Sequence, residues 1–145
     1  MRVYLDTSVI LPRLVRAHPR HEEAVHLFQS HFSGDTQFVI STHSIAELYA
    51  NISRFPIGNR ISPQTTQEIL DRFFELCKEV VELSFQDYES ATDNCVENNL
   101  TSGVIYDALH LQAARKSGCN SLYTANYKDF IRLSRVEDFV EVVNF

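Results

Sequence analysis

Short apolar runs of strand length alternate with helix-like segments along this chain, and that alternation constrains its fold more than any other feature. Residues 2–6, 38–40 ("FVI"), 80–83 ("VVEL"), 121–124 ("SLYT") and 140–143 ("VEVV") read as strands. Residues 8–16 read as a short helix disturbed by Pro12, which lacks an N–H. Residues 20–32 place Ala24, Val25, Leu27, Phe28 and Phe32 near a 3.6-residue period, and Gly34 and Asp35 then turn the chain. "STHSIAELYANISRF" sets Ile45, Leu48, Tyr49 and Ile52 on one helical face. Ser62 and Pro63 form an N-cap and first-turn pair for a helix striped by Ile69, Leu70, Phe73, Phe74 and Cys77. Residues 86–98 form a polar, acidic helix, 104–117 an apolar one ended by Gly118, and 127–133 a short helical turn. Apolar strands separated by helices specify an α/β fold whose parallel sheet is covered on both faces.

The length, 145 residues, suits one domain spanning 1–145 with a sizeable core. No apolar run approaches the roughly 20 residues of a membrane span, and no basic segment leads into a long apolar one, so a cytoplasmic protein is expected. Cys77, Cys95 and Cys119 are odd in number and far apart, which argues against a disulfide framework and for a reducing compartment. The net charge of -6 is wrong for gripping nucleic acid by charge alone. Either nucleic acid is not the partner, or the acids are concentrated where cations reverse the local field.

In parallel sheets, ligands bind beyond the carboxyl ends of the strands, where strand order reverses. Asp6 ends the first strand. Glu47 lies early in a helix, Asp107 starts the most apolar helix, and Asn126 and Asp129 follow the fourth strand. Each has a structural alternative. Asp6 suits a helix cap, Ser44-x-x-Glu47 matches a capping box, Asp107 suits a helix dipole, and Asn126 or Asp129 suits a cap before Phe130. Together they favour a cation, because several acids at one sheet edge repel each other. The ligands are oxygens, with no His or Cys in zinc spacing, so Mg²⁺ or Mn²⁺ is expected. Such a cluster suits phosphodiester hydrolysis. His18 to His21 reads as a solvated loop, and the acids from Asp87 to Glu97 as a solvated helix face. No G-x-G-x-x-G, P-loop or G-x-S-x-G occurs.

"YLDTSVI", "AEL", "YDALHLQAA" and "YTANYKDF" resemble, in order and spacing, the motifs of the PIN domain, and most closely the VapC-type ribonucleases of toxin–antitoxin pairs. The resemblance implies a five-stranded parallel sheet. It also implies that Asp6, Glu47 and Asp107 hold Mg²⁺ or Mn²⁺, and that Asn126 stands where many members carry a fourth acid, with Asp129 close by. It gives Thr7, Ser8 and Thr124 as polar supports or phosphate contacts. The partners it implies are an RNA substrate, a small antitoxin and a second copy in a homodimer. The expected activity is metal-dependent RNA cleavage, with Arg13, Arg16, Arg54, Arg60 and Lys128 as scattered contacts to the nucleic acid. The rival readings are a non-catalytic PIN-like binding module, a receiver-like domain and a nuclease acting on DNA. A receiver needs paired acids after the first strand and a Lys after the last, and neither is present.

Overall fold

In the computed structural model, which describes residues 1–30, 32 and 34–145, the first strand becomes the middle of the sheet. From β1 (Arg2–Leu5), α1 (Thr7–Leu14) and α2 (His21–Ser30) lead to β2 (Gln37–Ser41). α3 (Thr42–Ser53) and α4 (Pro63–Phe74) lead on to β3 (Cys77–Val81) at one edge. α5 (Phe85–Glu97) and α6 (Val104–Lys116) return the chain to the far side of β1. There β4 (Ser121–Thr124), α7 (Tyr127–Leu133) and β5 (Glu141–Asn144) complete the sheet. All strands are parallel, in the order β3-β2-β1-β4-β5. Winding therefore reverses at β1, and the carboxyl ends of β1, β2 and β4 share one crevice.

The sheet separates two cores. Val3 and Leu5 of β1 pack with Val9, Ile10, Leu48, Ile52, Leu70 and Phe73 on one face. Tyr4 packs on the other, with Ala108, Leu109, Leu111, Leu122 and Phe130. Full burial of an Ile or Leu side chain here contributes about 1.5–3 kcal/mol. Asp6 continues the extended backbone of β1, at φ -69° and ψ 150°. The two-residue period thus turns Asp6 to the same face as Tyr4, toward α6.

Ser62 caps α4 by accepting from the Thr65 N–H, with Pro63 as the first helical residue. Gly118, at φ +63°, ends α6 in a conformation that a side chain would oppose. Several local expectations are corrected. The Asp6 side chain makes no capping bond to α1. The capping box of α3 pairs Ser41 with Ser44, not Ser44 with Glu47. β3 begins at Cys77 and not at residue 80. It is an edge strand, where Lys78 and Glu79 need no apolar cover. Asp87 is buried rather than solvated. It completes a capping box with Ser84, accepts from Gln112 at 3.2 Å and pairs with Lys116 at 2.6 Å. The helix expected over 20–32 is observed as His21–Ser30, with Phe32 outside it, while residue 31 lies outside the described residues. All three cysteines are free. No described helix is long and apolar enough to cross a membrane.

Candidate active site

Asp6 sits at the reversal point, only 2% exposed. Its Oδ2 accepts from Ser8 Oγ at 2.5 Å and from Thr124 Oγ1 at 2.6 Å. Those hydroxyls are held in turn: Ser8 Oγ accepts from the Ala125 N–H, and Thr124 Oγ1 from the Asn126 N–H, both at 2.9 Å. Residues beyond β4 thus lock the rotamer of an acid beyond β1. Oδ1 is less occupied, with Thr7 Oγ1 at 3.4 Å and His110 Nε2 at 3.6 Å.

Thr7 also bridges to the second acid, its Oγ1 lying 3.1 Å from Glu47 Oε2. The hydroxyls of Thr7, Ser8 and Thr124 all point at carboxylates, so in this geometry they orient acids. The same Glu47 oxygen lies 2.7 Å from His110 Nε2, and Nδ1 of that ring lies 2.8 Å from Tyr4 Oη. Tyr4 donates to Ser41 Oγ at 3.0 Å. Burial pushes the Glu47 carboxyl up, but the imidazoles of His110 and His43 overcome that and hold it well below the usual range. Burial pushes His110 down, and Tyr4, Glu47 and Asp6 more than reverse it. The pair therefore favours carboxylate and imidazolium.

Asp107 lies in the first turn of α6, three residues before His110 on the same face. Its carboxyl is pushed up to about 7, first by burial, then by the charge of Asp6 and, more weakly, of Asp129. A hydrogen bond with Asn126 acts the other way. The Asn126 side chain makes no cap to α7. Asp129 pairs with Arg132 at 3.3 Å on the surface. A cleft of about 340 Å³ opens beside them, lined by Asn126, Tyr127, Lys128, Asp129 and Asn144.

Asp6, Thr7, Ser8, Glu47 and Thr124 thus form one hydrogen-bonded group; the Asn126 backbone joins it at Thr124, and Asp107 couples to it through the charge of Asp6 and in turn to Asp129. Among the described residues, neither Lys nor Arg pairs with Asp6, Glu47 or Asp107. An acid group with a less occupied oxygen on Asp6 and a proton retained near neutral pH on Asp107 suits a hard divalent cation. Sequence reasoning missed Tyr4, His43 and His110. His43 precedes Glu47 by four residues on one helical face, a legible signal. The third member of that cluster comes from α6, 63 residues beyond Glu47, and only the fold brings it in. His18 and His21 make local contacts, His21 Nδ1 donating to the Pro12 carbonyl at 2.8 Å.

An all-parallel sheet gathering carboxylates and hydroxyls at its reversal point, with no lysine paired to those acids among the described residues, defines an α/β domain with an acidic pocket. Comparison with known proteins is in keeping with that class. The family model described as PIN domain matches residues 3–136, and the chain belongs to that family. It is 31% identical over 110 residues to ribonuclease VapC27 of Mycobacterium tuberculosis, covering 76% of this chain and 74% of that protein. It is 27% identical over 138 residues to ribonuclease VapC40 of the same species, covering 95% and 96%. Among solved structures it resembles VapBC2 from Rickettsia felis bound to a DNA fragment from their promoter. That match has a TM-score of 0.69 at 20% identity and covers 100% of this chain and 99% of the other.

Proposed function

We propose that this protein is a divalent-metal-dependent endoribonuclease and the toxin of a toxin–antitoxin pair. The observation that carries the reading is the Asp6–Glu47–Asp107 group at the reversal point of a PIN fold, with Asp6 buried, Glu47 and Asp107 partly buried, and no Lys or Arg paired with them among the described residues. Mg²⁺ or Mn²⁺ would be held by these three residues. A cation held there would lower the pKa of a water and offset charge on the phosphate. Ser8 and Thr124 fix Asp6. Thr7 and His110 fix Glu47. Asn126 holds Asp107, and Asp129 adds charge at the margin of the cleft. The names of the relatives support RNA as substrate, and the VapBC2 assembly supports an antitoxin partner. A second copy in a homodimer is part of the same reading.

The test is cleavage of labelled RNA by metal-stripped protein, with Mg²⁺ or Mn²⁺ restored in steps. Cleavage should need the metal and vanish in Asp6→Asn, while the fold persists by circular dichroism. Undiminished cleavage by the variant, or by wild type in chelator, rejects the assignment. Light scattering checks the homodimer, and co-purification with the product of the neighbouring reading frame checks the antitoxin.

A further inference from the structure

Two histidines converge on Glu47 with donor chemistry that an all-oxygen magnesium site does not use. His43 Nε2 is 3.6 Å from Glu47 Oε1 and is buried without a hydrogen-bond partner. A buried unsatisfied polar atom destabilises the native state, so its retention needs a reason. His110 Nε2 approaches the other oxygen of the same carboxylate at 2.7 Å. The ligand atoms of the three side chains lie within 4.8 Å of one another.

Both rings are aimed by contacts behind them. His43 stacks on Tyr106, with centroids 5.3 Å apart and planes 15° apart. Tyr4 gives its proton to Ser41, so its oxygen accepts from His110 Nδ1–H at 2.8 Å, and Nε2 faces Glu47. Holding one ring nitrogen by hydrogen bond while the other faces the ion is the usual support of a metal-ligating histidine.

We propose that His43, Glu47 and His110 form a transition-metal site for Zn²⁺ or Co²⁺ that shares Glu47 with the carboxylate group around Asp6. Two imidazoles and one carboxylate favour Zn²⁺ over Mg²⁺. Ligand atoms about 2.0–2.2 Å from a tetrahedral ion stand roughly 3.4 Å apart, so side-chain shifts of about 1 Å close the site. Water reaches the fourth position past the half-buried Glu47. The ion takes the place of the proton that His110 Nε2 directs at Glu47 Oε2, which is released to water. Glu47 drawn onto it is withdrawn from the magnesium ligands, so zinc shuts off magnesium-supported cleavage. That consequence rests on the proposed function, while the site itself does not.

The test is titration of metal-stripped, full-length protein with Co²⁺, followed by its visible absorption. Wild type should develop a band that Zn²⁺ abolishes. His43→Phe keeps a ring against Tyr106 but removes the ligand, and should weaken Co²⁺ binding on the order of tenfold or more. His43→Gln should do the same, and circular dichroism confirms that both variants fold. Asp107→Asn should keep the band although it disables cleavage. No band in wild type, an undiminished band in folded His43 variants, or its loss in folded Asp107→Asn overturns the proposal. A band that depends on His43, in a protein that cuts no RNA with any metal, overturns the nuclease reading and leaves this site standing.

Discussion

Asp107 is the residue whose proton links the site to stability. An unfolded Asp titrates near 3.9, whereas burial and Asp6 hold this one to about 7. Between those values the native chain keeps a proton that the unfolded chain has lost, so stability falls as pH rises. Glu47 is shifted down, and its contribution changes only in acid, below the unfolded carboxylate value. His110 is shifted up, and its contribution begins to fade above about 6.5. The melting temperature of metal-free protein should therefore decline from about pH 5 to 7, and Asp107→Asn should flatten that decline. A wild-type melting temperature that rises over this range contradicts the assignment. Asn126 and Asp129 are separated by a different measurement. An amide ligates without charge, so Asn126→Asp should lower the Mg²⁺ concentration for half-maximal cleavage, and Asp129→Ala should raise it. Identical metal curves for wild type and both variants would show that neither residue tunes the site.

At the scale of elements, the same residue types act as ligands or as caps according to where each helix starts. Asp87 is the clearest cap. Its carboxyl is raised by burial but brought down further by Lys116, Ser84 and Gln112, leaving it well below its ordinary value. Asp87→Ala should cost about 2 kcal/mol, from a lost cap and unsatisfied partners. The wild-type contribution should be present above about pH 4 and fade as pH falls, and chemical denaturation at pH 7 and pH 3 measures it. Ser84-x-x-Asp87 marks this acid as a cap in the sequence, but nothing local marks it as facing α6 and buried. Ser41 ends β2 and caps α3 at once, so the Ser44-x-x-Glu47 pattern described a helix start three residues too late. The cap at Ser41 and Ser44 leaves Glu47 free of capping duty, which strengthens the reading of it as a site residue. The acids Asp6, Glu47 and Asp107 were legible as polar interruptions of apolar segments. His110 was not, because one His among Leu109, Leu111 and Ala113 reads as core until Tyr4 and Glu47 are seen against it.

For the whole molecule, the fold places an acid group at the middle of its sheet, where a bound divalent ion would offset the repulsion. The two cores hold β1 rigidly from both faces, so Asp6 cannot swing into solvent, and Asp107 is set by the packing of α6. Repulsion between them is therefore carried by the native state and relieved on unfolding. A cation that binds only the native state adds stability by mass action, about 2.7 kcal/mol when its concentration is 100 times its dissociation constant. For a chain of 145 residues, each kcal/mol moves the melting temperature by about 3–4 °C, so saturating Mg²⁺ should raise it by roughly 10 °C. Asp6→Asn should raise the metal-free melting temperature and abolish most of the Mg²⁺ response, since it would remove both the repulsion and a proposed ligand. A helix cap at this position would behave differently. Asn caps about as well as Asp, so a capping role predicts an unchanged Mg²⁺ response in the variant. Differential scanning calorimetry of both proteins, with chelator and along a Mg²⁺ series, separates the two. An equal Mg²⁺ response in wild type and Asp6→Asn would remove Asp6 from the metal site.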